Sequence, residues 1–109
     1  MALTRDFKDT IQARVRRDPA FRRALLREAV ENFISGGLET GKTVLRDYIN
    51  ATIGFQQLAE ATRHSPKSLM RMLGPSGNPQ ARNLFEIVEY LRQKEKVRFK
   101  VAAAANWGA

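Results

Sequence analysis

Three of the four prolines in this chain directly follow a residue whose side chain caps helices: Asp18 before Pro19, Ser65 before Pro66 and Asn78 before Pro79. A short oxygen-bearing side chain accepts a hydrogen bond from an orphan amide of the first turn. Proline suits the next position because it has no amide to leave unpaired. Each pair therefore marks the start of a new helix, and Gly36, Gly37 and Gly54 supply the intervening stops. Helical periodicity fills the intervals. Phe7, Ile11 and Val15 give a first helix ending near Arg17, and Phe21, Leu25, Ala29 and Phe33 a second that runs to Ile34, so the N-terminal helices occupy 4–35. Val44, Leu45, Tyr48 and Ile49 form the apolar face of a third helix that begins near Glu39 and stops before Gly54. Gly74 to Asn78 reads as a loop, and Leu84, Ile87, Val88 and Leu91 predict a last helix over 79–95.

The interval Phe55 to Leu73, FQQLAEATRHSPKSLMRML, carries two short helical patterns separated by a tight turn. Leu58 and Ala59 face inward from the first, and the small Ala59 lets a second backbone cross close above it. Ser65 and Pro66 restart the chain. In the second pattern Leu69, Met72 and Leu73 share one face, which leaves Lys67, Ser68 and Arg71 on the other, with the two cations one turn apart. This is the spacing of a helix-turn-helix with a short, polar, cationic outer face. Beyond Lys96 the period changes: Val97, Phe99 and Val101 alternate with Arg98 and Lys100, which predicts a short strand over 97–101. A lone strand needs a partner for its edges, and a second copy of the chain is one source; a tail docked on its own domain is the other. Ala102 to Ala109 reads as a flexible end.

At 109 residues the chain is expected to be one domain over 1–101. Its formal net charge of +8 favours polyanionic partners. Charge is spread along most of the chain, with one exception. From Ala61 to Phe85 there is no acidic residue, whereas Arg63, Lys67, Arg71 and Arg82 are present, and this window contains the second helical pattern. There is no cysteine, hence no disulfide framework and no thiolate metal site, and His64 is the only histidine, which the turn would bring within reach of a phosphate. No apolar run of about 18 residues exists and the N-terminus alternates charge with apolar residues, so neither a membrane span nor a signal peptide is expected, and the cytoplasm is the expected compartment.

Gly36 to Thr43, GGLETGKT, satisfies the Walker A pattern. A phosphate-binding loop joins a buried parallel strand to a helix and relies on a second, aspartate-bearing strand for magnesium. Here the preceding residues form an amphipathic helix and no such strand follows. The match is therefore rejected, and no enzymatic activity, cofactor or metal is expected.

From about Leu38 to Val101, on TVLRDYINATIGFQQLAEAT, SPKSLMRMLGPSGNPQARNLFEIVEYL and the closing VRFKV, the chain resembles the helix-turn-helix antitoxins of bacterial toxin-antitoxin modules, the addiction-module antidote proteins. The resemblance implies an all-α, lambda-repressor-like domain of about five to six helices with a helix-turn-helix and one short C-terminal strand. It also implies a homodimer that represses its own operon and neutralises a small toxin of the RelE/ParE type. Against the general helix-turn-helix pattern, Arg63 occupies a turn position that favours glycine because the backbone there tends to left-handed angles, at a cost of about 1 kcal/mol. His64 replaces a commonly apolar residue. Phe55 stands where a phosphate-contacting glutamine is common, leaving that role to Gln56.

The expected mechanism places the 66–73 helix in the major groove of operator DNA. Gln56 and Ser65 would hold phosphates, Lys67, Ser68 and Arg71 would meet base edges, and Asn78 and Arg82 would grip the backbone. A free-standing repressor without a toxin is the alternative; a protein-interaction module without salt-dependent DNA affinity is a third.

Overall fold

The computed structural model describes residues 5–105, with side chains from residue 10 onward. The described residues form six helices and no strand: α1 Arg5–Arg17, α2 Pro19–Ile34, α3 Leu38–Ala51, α4 Phe55–Thr62, α5 Pro66–Met72 and α6 Ala81–Glu95. The stops and starts follow the local chemistry. Asp18 is extended and its Oδ1 accepts from the Phe21 amide at 3.1 Å, with Pro19 opening α2. Gly36 and Gly54 turn the chain at φ of +87° and +81°, a region closed to most side chains.

One of the three cap-proline pairs does not start a helix. Asn78 and Pro79 lie in the connection, and α6 begins at Ala81 behind an extended Gln80 whose side chain makes no capping bond. The chain at Gly77 is fastened elsewhere, by a bond from Lys42 to its carbonyl, so residues 78–80 are spent bridging from that anchor to α6. The expected helix over 79–95 is thus two residues shorter at its start.

The core is built from one face of every helix. Val15, Leu26, Ala29, Leu45, Tyr48, Ile49, Leu58, Ala59, Leu69, Leu73, Ile87 and Leu91 are buried. In α2 the buried stripe is rotated from the expected one. Leu26 and Ala29 are fully enclosed, Leu25 and Phe33 pack against them from the side, and Phe21 is half-buried beneath the Arg14 guanidinium, 4.3 Å from its ring centroid. The side chain of Phe7, and Thr4 altogether, lie outside the described residues. Helices α2 and α3 approach closely at Gly41, where a Cβ would stand 2.6 Å from the Phe33 ring.

A charged residue closes this core. Glu95, at the end of α6, is 6% exposed, and its Oε2 accepts from Arg22 Nε of α2 at 2.7 Å and from the Tyr48 hydroxyl of α3. Its Oε1 has no hydrogen-bond partner, with Arg23 Nε at 3.9 Å. Burial raises the pKa of the Tyr48 hydroxyl, and its bond to the carboxylate adds to the shift. One carboxylate therefore joins three helices.

The expected strand over 97–101 is not formed. Lys96 ends α6 at φ of +56°, and the chain continues without ladder bonds. Arg92 Nη1 donates to the Val97 carbonyl at 2.9 Å, Phe99 packs against the core, and Val101 is 77% exposed. Alternation of apolar and cationic residues makes a segment extended and two-faced, but a strand is a property of pairing, and among the described residues no second edge lies beside this one. Ala102–Ala105 are exposed; the rest of the expected flexible end lies outside the described residues.

Candidate nucleic-acid interface

The two short helices α4 and α5 are joined by a three-residue turn whose geometry follows from its sequence. Arg63 adopts φ 59°, ψ 40°, the left-handed conformation expected of that position, and the His64 amide donates to the Ala59 carbonyl at 2.9 Å. Ser65 is extended, and its Oγ accepts from the Ser68 amide at 3.0 Å, with Pro66 in the first turn of α5. The cap satisfies one orphan amide and fixes the entry angle of α5. Leu58 and Ala59 from α4 then meet Leu69 and Leu73 in the core, with Met72 packed at the edge.

That packing decides what α5 shows to solvent. Lys67 and Arg71 are exposed, Ser68 is half-exposed, and Met70 adds an apolar side chain that is 48% exposed. Beside this face runs a groove of about 470 Å³ lined by Ser68, Arg71, Ser76, Asn78, Gln80 and Asn83. Ser68, Arg71 and Asn78 are thus brought together. Ser76, Gln80 and Asn83 join them unanticipated by the sequence reading; the only signal for them was a run of hydrogen-bonding residues on both sides of Pro79.

The other expected contacts stand apart from the groove. Gln56 is exposed on the first turn of α4, where its Nε2 lies 3.3 Å from Glu60 Oε1. Ser65 is exposed, but its Oγ is committed to the cap. Arg82 reaches into solvent from α6 and lies 3.5 Å from Glu86 Oε1. His64 is not turned outward as expected: its side chain is mostly enclosed, and its Nε2, without a hydrogen bond, points toward Glu86 Oε2 at 3.8 Å. Glu86, just past the stretch without acidic residues, therefore faces two of its residues, His64 and Arg82.

The lysine and second glycine of the Walker A match have structural tasks. The match runs from the connection after α2 into the first turns of α3, and does not join a strand to a helix. Gly41 is the point of close approach to Phe33, and Lys42 is 1% exposed. Lys42 Nζ donates to the carbonyls of Gly74 at 2.9 Å and Gly77 at 2.7 Å and pairs with Glu39 Oε2 at 3.1 Å. One turn on, Arg46 Nη1 donates to the Leu73 carbonyl at 3.1 Å. The connection after α5 is wound tightly about these bonds. Gly77 donates to the Gly74 carbonyl at 3.0 Å, and a Cβ at Gly77 would collide with the carbonyl oxygens of Arg71 and Met72.

Among the described residues no group of three or more His, Cys, Asp or Glu side chains is placed to hold a metal, and no helix is long and apolar enough to cross a membrane. Comparison with protein-family models, curated protein sequences and solved structures finds no match to this chain.

Proposed function

We propose that the protein is a sequence-specific DNA-binding antitoxin with a lambda-repressor-like helix-turn-helix domain. In this reading α4 and α5 are the helix-turn-helix, α5 enters the major groove of operator DNA, and the protein represses its own operon and neutralises a small RelE/ParE-type toxin. The observation that carries the reading is the outer face of α5. Lys67, Ser68 and Arg71 stand free on a capped helix whose opposite side is locked into the core, beside a groove rich in amide and hydroxyl groups. Arginine or lysine to guanine is the commonest specific base contact, and side chains such as those of Asn78, Gln80 and Asn83 suit phosphate oxygens. A homodimer would set two such helices about 34 Å apart on a palindromic site.

The test is fluorescence anisotropy with duplex DNA from directly upstream of the gene and with scrambled duplex, across a salt series. The reading requires a preference of about a thousandfold or more for the upstream site. Arg71→Ala should cost about 1–3 kcal/mol on that site and much less on scrambled DNA. Equal, steeply salt-dependent binding to both duplexes would reduce the protein to a basic surface meeting a polyanion. The toxin half of the reading is tested by co-purification with the product of the adjacent reading frame.

A further inference from the structure

We propose that Lys42 and Arg46 of α3 are positioning residues for the DNA-facing surface: they fasten the C-terminal end of α5 and the connection after it, and thereby fix Arg71 relative to Asn78. The proposal rests on the reading of α5 as the DNA-contacting helix.

A helix of seven residues, Pro66–Met72, cannot hold its own shape or orientation, because so few hydrogen bonds do not offset the cost of nucleation. Its start is fixed by Ser65 and its inner face by Leu69 and Leu73. Just past its other end, from the C-cap Leu73 to Gly77, the chain carries carbonyls that a cation satisfies well. Two cations from a different helix do this. Arg46 takes the Leu73 carbonyl, and Lys42 takes those of Gly74 and Gly77. With Glu39 as the third acceptor, the three protons of the Lys42 ammonium all have partners.

The sequence separation of 32 and 35 residues makes these bonds a tie across the fold and not a local cap. Gly77 leads directly into Asn78, which lines the groove together with Arg71. The groove therefore has one wall on α5 and the other on a connection pinned from α3. A binding constellation works only when its members are held within about 0.5 Å of the productive geometry. A buried ammonium supplies directed bonds to three acceptors, whereas an apolar side chain of equal length would fill the same space and direct nothing. The lysine of the Walker A match is thus occupied, and cannot serve a nucleotide phosphate without leaving the connection unsupported.

The experiment compares the full-length wild type with Lys42→Met, Lys42→Arg and Arg46→Met. Far-UV circular dichroism monitors folding, amide hydrogen exchange by NMR monitors the connection, and anisotropy with the upstream and scrambled duplexes monitors discrimination. In Lys42→Met the Gly74 and Gly77 amides should exchange at least about tenfold faster, while those of Leu26, Ile49 and Leu91 keep their protection. The preference for upstream over scrambled duplex should fall by about tenfold, with partial recovery in Lys42→Arg. Arg46→Met, at a half-buried residue making one bond, should shift both readouts the same way by less, and it carries the test if Lys42→Met does not fold. Unchanged exchange at Gly74 and Gly77, or faster exchange with unchanged preference, overturns the positioning role. A wild type that binds both duplexes equally overturns the reading of α5, and with it the role in discrimination; exchange at Gly74 and Gly77 then still decides whether Lys42 pins the connection.

Discussion

Glu95 offers the sharpest test of how this fold is held together. Replacing it with alanine removes the carboxylate that accepts from the buried Tyr48 hydroxyl and faces Arg22 at 2.7 Å. Breaking a buried ion pair by removing one partner costs about 3–5 kcal/mol, and an orphaned buried hydroxyl about 1–3 kcal/mol. The two losses overlap because one carboxylate serves both groups. Arg22 also keeps a 3.3 Å bond to the Val15 carbonyl and borders a pocket of about 400 Å³ that lets water reach it. The lower end of the range is therefore expected, about 3 kcal/mol, or roughly 12–20 °C in melting temperature for a chain of this size. Tyr48→Phe alone should cost about 1–2 kcal/mol, since it deletes a bond to a charged acceptor that retains Arg22.

The double mutant separates this account from a simple sum. Once Glu95 is alanine the Tyr48 hydroxyl has already lost its charged acceptor, so adding Tyr48→Phe should then cost less than it does in the wild type. Urea titrations followed by far-UV circular dichroism, with equal slopes across the four proteins, give the coupling. A Glu95→Ala cost under about 1 kcal/mol, or single costs that add within about 0.5 kcal/mol, would refute the role of this carboxylate as a tie between α2, α3 and α6.

Other expectations follow from local geometry. Ser65→Ala should lower stability by about 1 kcal/mol through loss of the bond to the Ser68 amide, read as a lower urea midpoint, while Ser65→Asp should retain most of it. Arg63→Gly should raise stability by up to about 1 kcal/mol, read as a higher urea midpoint, because Arg63 is held at φ 59° without a glycine's freedom; a lower midpoint would show that its side chain contributes more than the strain costs. The Phe21 amide donated to Asp18 holds that carboxylate below its ordinary pKa, with Arg14 adding to the effect. Because the folded value is the lower one, its contribution is complete above the unfolded value near 3.8 and is lost as pH falls through the folded value. The gap in urea midpoint between wild type and Asp18→Asn should therefore narrow between pH 5 and the acid range, and a gap constant with pH would count against the cap.

The sequence by itself determined where most helices begin and which faces they bury. Asp18–Pro19 and Ser65–Pro66 act within three residues of their own amides, so their geometry is local and readable. The faces of α3, α4 and α5 follow from periodicity, and Leu45, Tyr48, Ile49, Leu58, Ala59 and Leu69 are buried as their spacing requires. Even the left-handed turn at Arg63 was legible, because that position of the general helix-turn-helix pattern favours glycine and left-handed angles. The cationic outer face of α5 follows from the same periodicity, since the side that is not core is solvent.

Only the tertiary structure decided the fate of the charged and polar residues. Lys42 reads as a solvated or phosphate-binding lysine until Gly74 and Gly77 are folded against it, and Glu95 as a surface carboxylate until Arg22, 73 residues away, and Tyr48, 47 away, converge on it. Burial of a charge is decided by distant partners, and neither composition nor period encodes which partners arrive. The same holds for Asn78 and Pro79, a valid cap pair overridden by the anchor at Gly77, and for Val97 to Val101, whose alternation finds no second edge among the described residues. Helix starts and buried faces arise from neighbours in sequence, whereas the pinned connection, the groove beside Arg71 and the buried carboxylate arise from contacts that exist only once the chain has closed.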